Sequence, residues 1–232
     1  MYRFLNTLKA DITFQFRQGF YAIYLLVTMV YMVVMMKLPE SIKAVAVSLT
    51  VFSDPSVLGF FFIGGLVMLE KDQGMFRYLT VTPLSPGEYL LSKAFSMALV
   101  AMVAGSTITL VTFSGHVNWL YLIPGILLTS LFFTLYGILP AAKSRTINQY
   151  FIRMVPYLLF MVVPCFSAIG FPYAYLFNIF PSVAGLKLIM GAFTGLAPLE
   201  ALLNLFILAV MNALILRNVI KTYAHMATSE EA

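Results

Sequence analysis

The chain has 232 residues, of which 61% are hydrophobic and 10% charged, with a net charge of +5 and a mean hydropathy of +0.94. A soluble domain carries about 25% charged residues, so this composition excludes an ordinary soluble protein and predicts an integral membrane protein. The single cysteine, Cys165, excludes an intrachain disulfide.

Residues 1–17 are amphipathic. Phe4, Leu5, Leu8, Ile12 and Phe16 fall on one helical face, with Arg3, Lys9, Asp11 and Arg17 spread around the other, which predicts a helix lying in the membrane interface. No small-residue cleavage site follows the first apolar run, so a cleaved leader is not expected. A first span is predicted from about Phe20 to Leu38, ended in water by Pro39, Glu40 and Lys43. A short apolar stretch, Ala44 to Phe52, then precedes Asp54 and Pro55, which suit the cap and first turn of a second spanning helix that continues to Leu69. A spanning helix needs about 20 apolar residues to cross roughly 30 Å of hydrocarbon. The runs are continuous and not alternating, so they are read as helices and not barrel strands.

Residues 70–93 interrupt this pattern with Glu70, Lys71, Asp72, Arg77, Glu88 and Lys93. Gly74 suits a helix end, Pro83, Pro86 and Gly87 turn the chain back, and Phe76, Tyr78, Leu79 and Val81 form an apolar strip. Apolar residues on a loop call for a partner surface. A third span is expected from about Ala94 to Phe113, a fourth from about Leu120 to Leu139 and, after a basic loop, a fifth from about Met154 to Phe171. Residues 171–198 are broken by Pro172, Pro181, Gly185, Gly191 and Gly195, yet are too apolar for an ordinary loop. Such backbone at membrane depth must pack against protein or line a wet cavity, so a re-entrant hairpin is predicted before the last span, Leu199 to Leu216.

The expected architecture is thus all-α: a single membrane domain over 1–232, with an interfacial helix, six spans and a broken hairpin. Eleven Lys and Arg flank one side, against Lys37, Lys43 and Lys187 on the other. The positive-inside bias therefore places both termini and the 70–93 loop in the cytoplasm.

No His-Glu-x-x-His, Gly-x-Ser-x-Gly or phosphate-binding loop is present, and His116 and His225 fall at opposite ends of the expected topology. Neither a catalytic residue nor a metal, a cofactor of its own or a nucleic-acid partner is expected. Asp54 and Glu200 lie at expected helix starts, where capping outweighs ion or substrate contact. Asn178, Asn204 and Asn212 suit interhelical hydrogen bonds. Asp54, Asn178 and Asn212 are the candidates for a substrate pathway. Packing is weighed above drug stacking for Phe60, Phe61 and Phe62.

The charged stretch resembles the signature loop of the type-2 permeases of ATP-binding cassette exporters. That pattern runs acid-x-acid-x-Gly, then Thr-Pro-hydrophobic-Ser, then Lys before the third span, here Glu70, Asp72, Gly74, Thr82, Pro83, Leu84, Ser85 and Lys93. The chain departs from it at Met75 and Phe76, where the family usually has Thr-Leu, and at Asp72, where the second acid is usually Glu. The overall plan is similar to the family's, and the chain resembles small stand-alone drug export permeases, including those for fluoroquinolones. The resemblance implies that the loop docks into a groove on a separate ATPase subunit, which would bind ATP and Mg. It implies that Glu70, Asp72, Gly74, Phe76, Thr82, Pro83 and Ser85 couple ATPase closure to movement of the spans. It further implies a second permease subunit, identical or not, in the cell (plasma or inner) membrane, and export of a drug-like, lipid-like or other hydrophobic substrate. The residues by themselves leave open a carrier or channel that works without an ATPase.

Overall fold

The computed structural model of the chain describes residues 2–53, 57–72, 84–169 and 177–229. Asp54, Gly74, Phe76, Thr82 and Pro83, named above, lie outside them, as do the side chains of Lys71 and Asp72. Every regular element among the described residues is helical.

Helix α1 (Tyr2–Arg17) is amphipathic and turns sharply into α2 (Phe20–Met36), the two axes meeting at 68°. The turn is made at Gly19, whose φ of 78° is the left-handed conformation that glycine adopts at least cost. Pro39 starts α3 (Glu40–Val51), and α4 (Leu58–Asp72) follows. Helix α5 (Pro86–Thr112) begins eight residues before the apolar run at Ala94. Its start is set by a capping box: the Ser85 hydroxyl accepts from the Glu88 N–H at 3.2 Å, and the Glu88 carboxylate accepts from the Ser85 N–H at 3.0 Å, with Pro86 in the first turn. Helix α4 likewise runs on past Leu69, so the segment between the two helices is 73–85 and not 70–93.

Asn118 caps α6 (Trp119–Ala142), and Thr146 caps α7 (Ile147–Val162). At Val163 the α-helix gives way to a 3-10 helix (Val163–Ile169). Pro164 explains the change, since it lacks an N–H and crowds the carbonyl four residues back. Helix α8 (Pro181–Thr194) and α9 (Pro198–Ser229) complete the chain, separated by Gly195 at φ 87°.

Among the described residues, four helices are long and apolar enough to cross a membrane: α5, α6, α7 with its 3-10 extension, and α9; the bent pair α1 and α2 makes a fifth when counted as one span. The expected second span is the short helix α4, whose 15 residues reach about 22 Å at 1.5 Å per residue, against roughly 30 Å of hydrocarbon. Helix α8 supplies one half-length limb in the region expected to be a hairpin. Its 14 residues cover about 21 Å, and the rest of that region falls partly outside the described residues.

Helix α6 is the hub, packing against α4, α5, α7, α8 and α9. Its apolar window is 67% buried, whereas that of the peripheral α9 is 22% buried. One buried cluster, including Val51, Phe60, Leu66, Leu90, Ile126, Phe133 and Ile189, joins the helices around it. Phe60 is fully buried and stacks on Tyr136 at 5.8 Å, which makes it a packing residue. The close approach of α4 and α7 depends on Gly64: a Cβ there would lie 2.0 Å from the Tyr150 ring, whose hydroxyl donates to the Phe60 carbonyl. Large apolar side chains such as Leu26, Val33, Ile152, Leu202 and Phe206 stay exposed on α2, α7 and α9, as lipid-facing surfaces require.

A buried ion cluster where three helices meet

Two polar stripes are written into this otherwise apolar chain. On α5, Tyr89, Ser92, Lys93 and Ser96 recur at the i, i+3, i+4, i+7 spacing of one helical face; on α1, Asp11 and Gln15 are one turn apart. The fold lays these faces together and brings in Glu70 from the last turn of α4.

Lys93, 1% exposed, is the centre. Its ammonium donates to the Asp11 carboxylate at 2.9 Å and pairs with Glu70. Glu70 is 2% exposed and also accepts from the Tyr89 hydroxyl, while Asp11, 7% exposed, accepts from the Ser92 hydroxyl at 2.5 Å. The Lys93 ammonium lies 4.6 Å from the Tyr89 ring centre, within cation–π range. Gln15 donates to Ser96 at 2.6 Å and accepts from Tyr21 at 3.2 Å, so the network reaches the start of α2. Phe4 packs edge-on against Phe95 beside it.

Burying charge is costly unless each group is paired and hydrogen-bonded. Here each carboxylate has both the cation and a hydroxyl donor. Two acids share one base, so the cluster holds three helices in one relative position and carries one more acidic group than basic.

This geometry changes two sequence readings. Asp11 does not belong to the water-facing side of α1 but turns into the bundle, drawn by Lys93; Phe16, 73% exposed, and Leu5 point the other way. Glu70, which the resemblance assigns to ATPase coupling, pairs with Lys93 of α5 and is enclosed by its own chain. A buried ionisable cluster is thus assembled from residues 82 and 23 positions away from Lys93. The i, i+3, i+4 polar spacing around Lys93 was the signal for it.

Of the other sequence candidates, Ser85 holds the capping box that starts α5. The backbone of Asp72 ends α4. Asn178 is exposed ahead of α8. Asn212 donates to the Leu128 carbonyl of α6 at 3.0 Å, an interhelical bond. Glu200 stands in the first turn of α9, where the helix dipole favours a carboxylate, and faces Lys187 of α8 at 3.4 Å. Asp11 and Glu70 come together at Lys93, whereas Asn178 and Asn212 do not share a site with them. His116 is exposed, and among the described residues no group of three or more His, Cys, Asp or Glu is placed to hold a metal ion.

Comparison with known proteins gives a consistent match. The model of the fluoroquinolones export permease protein family matches residues 2–228. Fluoroquinolones export permease proteins from two strains of Mycobacterium tuberculosis, CDC 1551 / Oshkosh and H37Rv, are each 27% identical to this chain over 164 residues, which is 71% of this chain and 69% of theirs.

Proposed function

The chain belongs to the fluoroquinolones export permease protein family, and from that premise we propose that it is the membrane subunit of an ATP-binding cassette exporter. It moves a drug-like substrate out of the cell with a second permease subunit, and a separate ATPase chain binds ATP and Mg and does the hydrolysis. Both termini and segment 73–85 face the cytoplasm of the cell membrane.

The observation that carries the ATPase partnership is how that segment is anchored. Its two ends are pinned by the Glu70–Lys93 pair and the Glu70–Tyr89 bond, and Asp11 ties the same lysine to α1. A push on Gly74, Phe76, Thr82 or Pro83 by a docked ATPase would be delivered to α4, α5 and α1 as one body, the rigid-body movement that alternating exposure of a transport path needs. Phe76 supplies the apolar anchor, and Ser85 caps the helix that follows the segment.

One observation favours a second reading. Two acids around one buried base form the kind of ionisable centre that proton-coupled carriers use. Co-purification separates the two. The tagged chain should retain a separate ATPase chain, and Phe76→Ala should weaken that association without loss of membrane insertion. No ATPase retained by the wild-type chain, together with transport that follows a proton gradient, would establish the carrier.

A further inference from the structure

A cavity lies outside the ion cluster. It is a groove of about 540 Å³ between α2 and α5, walled by Tyr21, Tyr24 and Met29 on one side and by Val100 and Val103 on the other. Met29 and Val103 are more than half exposed, so the groove opens sideways to lipid. Its volume falls within the roughly 300–1,000 Å³ of small-molecule sites, and its lining has their character, mostly apolar with a few polar groups.

Thr28 lines this groove, is 7% exposed, and its hydroxyl has no hydrogen-bond partner. Thr107, on the opposite wall, instead returns its hydroxyl to the Val103 carbonyl at 2.8 Å. The buried hydroxyls of Thr129, Ser130, Thr134 and Ser182 also lack a partner, but of these five only Thr28 lines the groove, and threonine has two helical χ1 rotamers by which this one can turn to it. An acyl chain or a neighbouring apolar helix offers it nothing. A ligand bearing a carbonyl or carboxylate oxygen does. The half-buried Tyr21 ring gives a flat aromatic molecule a stacking surface, and flexible Met29 and Met32 adapt to its outline. At this end the groove also adjoins the ion cluster, because Tyr21 donates to Gln15, which donates to Ser96.

We propose that the α2/α5 groove binds a small, planar aromatic molecule with an oxygen acceptor, entering sideways from the bilayer. Its rings lie against Tyr21 and its acceptor takes the Thr28 hydroxyl. The assignment rests on the export reading above, and it names where the substrate is first held.

The test uses the full-length chain, without ATPase, in lipid nanodiscs, with ciprofloxacin as the probe and its own fluorescence anisotropy as the readout. Thr28→Val, which removes only the hydroxyl, should weaken binding about three- to tenfold, the size of one hydrogen bond. Val100→Trp, which fills the groove, should abolish binding, while Leu214→Trp on the exposed face of α9 should leave it unchanged. Wild-type affinity in both groove variants would overturn the proposal, as would no binding by the wild-type chain. Two further outcomes overturn it by naming another occupant: a phospholipid retained by the wild type and released by Val100→Trp in native mass spectrometry, or a disulfide between two Met29→Cys copies. If the probe binds and Thr28→Val weakens it, yet export does not depend on ATP, the groove stands and the ATPase partnership alone fails.

Discussion

Lys93 illustrates how one side chain is worth more than its pairwise bonds. Lys93→Met leaves two buried carboxylates facing each other with no cation, and removing one partner of a buried pair costs about 3–5 kcal/mol. Asp11→Asn leaves Lys93 with Glu70 and should cost less, about 1–2 kcal/mol. The triple change Asp11→Asn, Glu70→Gln, Lys93→Met removes every charge and should recover much of the loss, since the groups act as a unit. Thermal unfolding of the purified chain checks this, and simple additivity of the losses would contradict the shared-cation account. Gly64 gives a second residue-scale expectation. Gly64→Ala must displace the Tyr150 ring and should lower stability by about 1–3 kcal/mol, whereas the neighbouring Gly65→Ala meets open space and should not. Equal melting temperatures for the two variants would refute the packing of α4 against α7.

The elements show why one part of the structure was readable and another was not. Ser85→Ala removes the cap of α5 and should cost about 1 kcal/mol, seen as faster hydrogen exchange at the first turn of α5 with the rest of the helix unchanged. Unchanged exchange there would mean that the cap does not set the helix start. The motif Ser-x-x-Glu at 85–88 announces this start, but a reading guided by the apolar run begins the helix at Ala94, because hydropathy marks the lipid slab and not the end of the helix. The same difference explains why α4 runs past Leu69. The start of α6 is legible because Asn118 sits where hydropathy changes, whereas α7 starts at Ile147, seven residues before the expected Met154, because Thr146 caps it ahead of the apolar run. The ion cluster was not legible as a site: periodicity gives Lys93 a face on α5, but nothing local says that Asp11 and Glu70 meet it. The split face of α1 was missed for the same reason, since amphipathicity assigns Asp11 to water until Lys93 is placed beneath it.

For the whole molecule, the apolar helices and their lipid-facing side chains make a multi-pass membrane protein, and the arginine and lysine distribution gives its sidedness as an expectation. With Cys165 replaced by serine, a cysteine at the exposed position Ser41 should react with an impermeant thiol reagent on intact cells, and one at the exposed position Asn148 should not. The reverse pattern would invert the topology. The central claim is that motion of a separate ATPase enters through segment 73–85 and is carried by the Glu70–Lys93–Asp11 cluster. The most direct measurement is fluoroquinolone uptake into inverted membrane vesicles that contain this chain with the ATPase that co-purifies with it. Uptake should require ATP, persist when the proton gradient is collapsed, and be lost in Phe76→Ala and Lys93→Met variants that still insert. Uptake by the chain alone, driven by the gradient and indifferent to ATP, would contradict the claim.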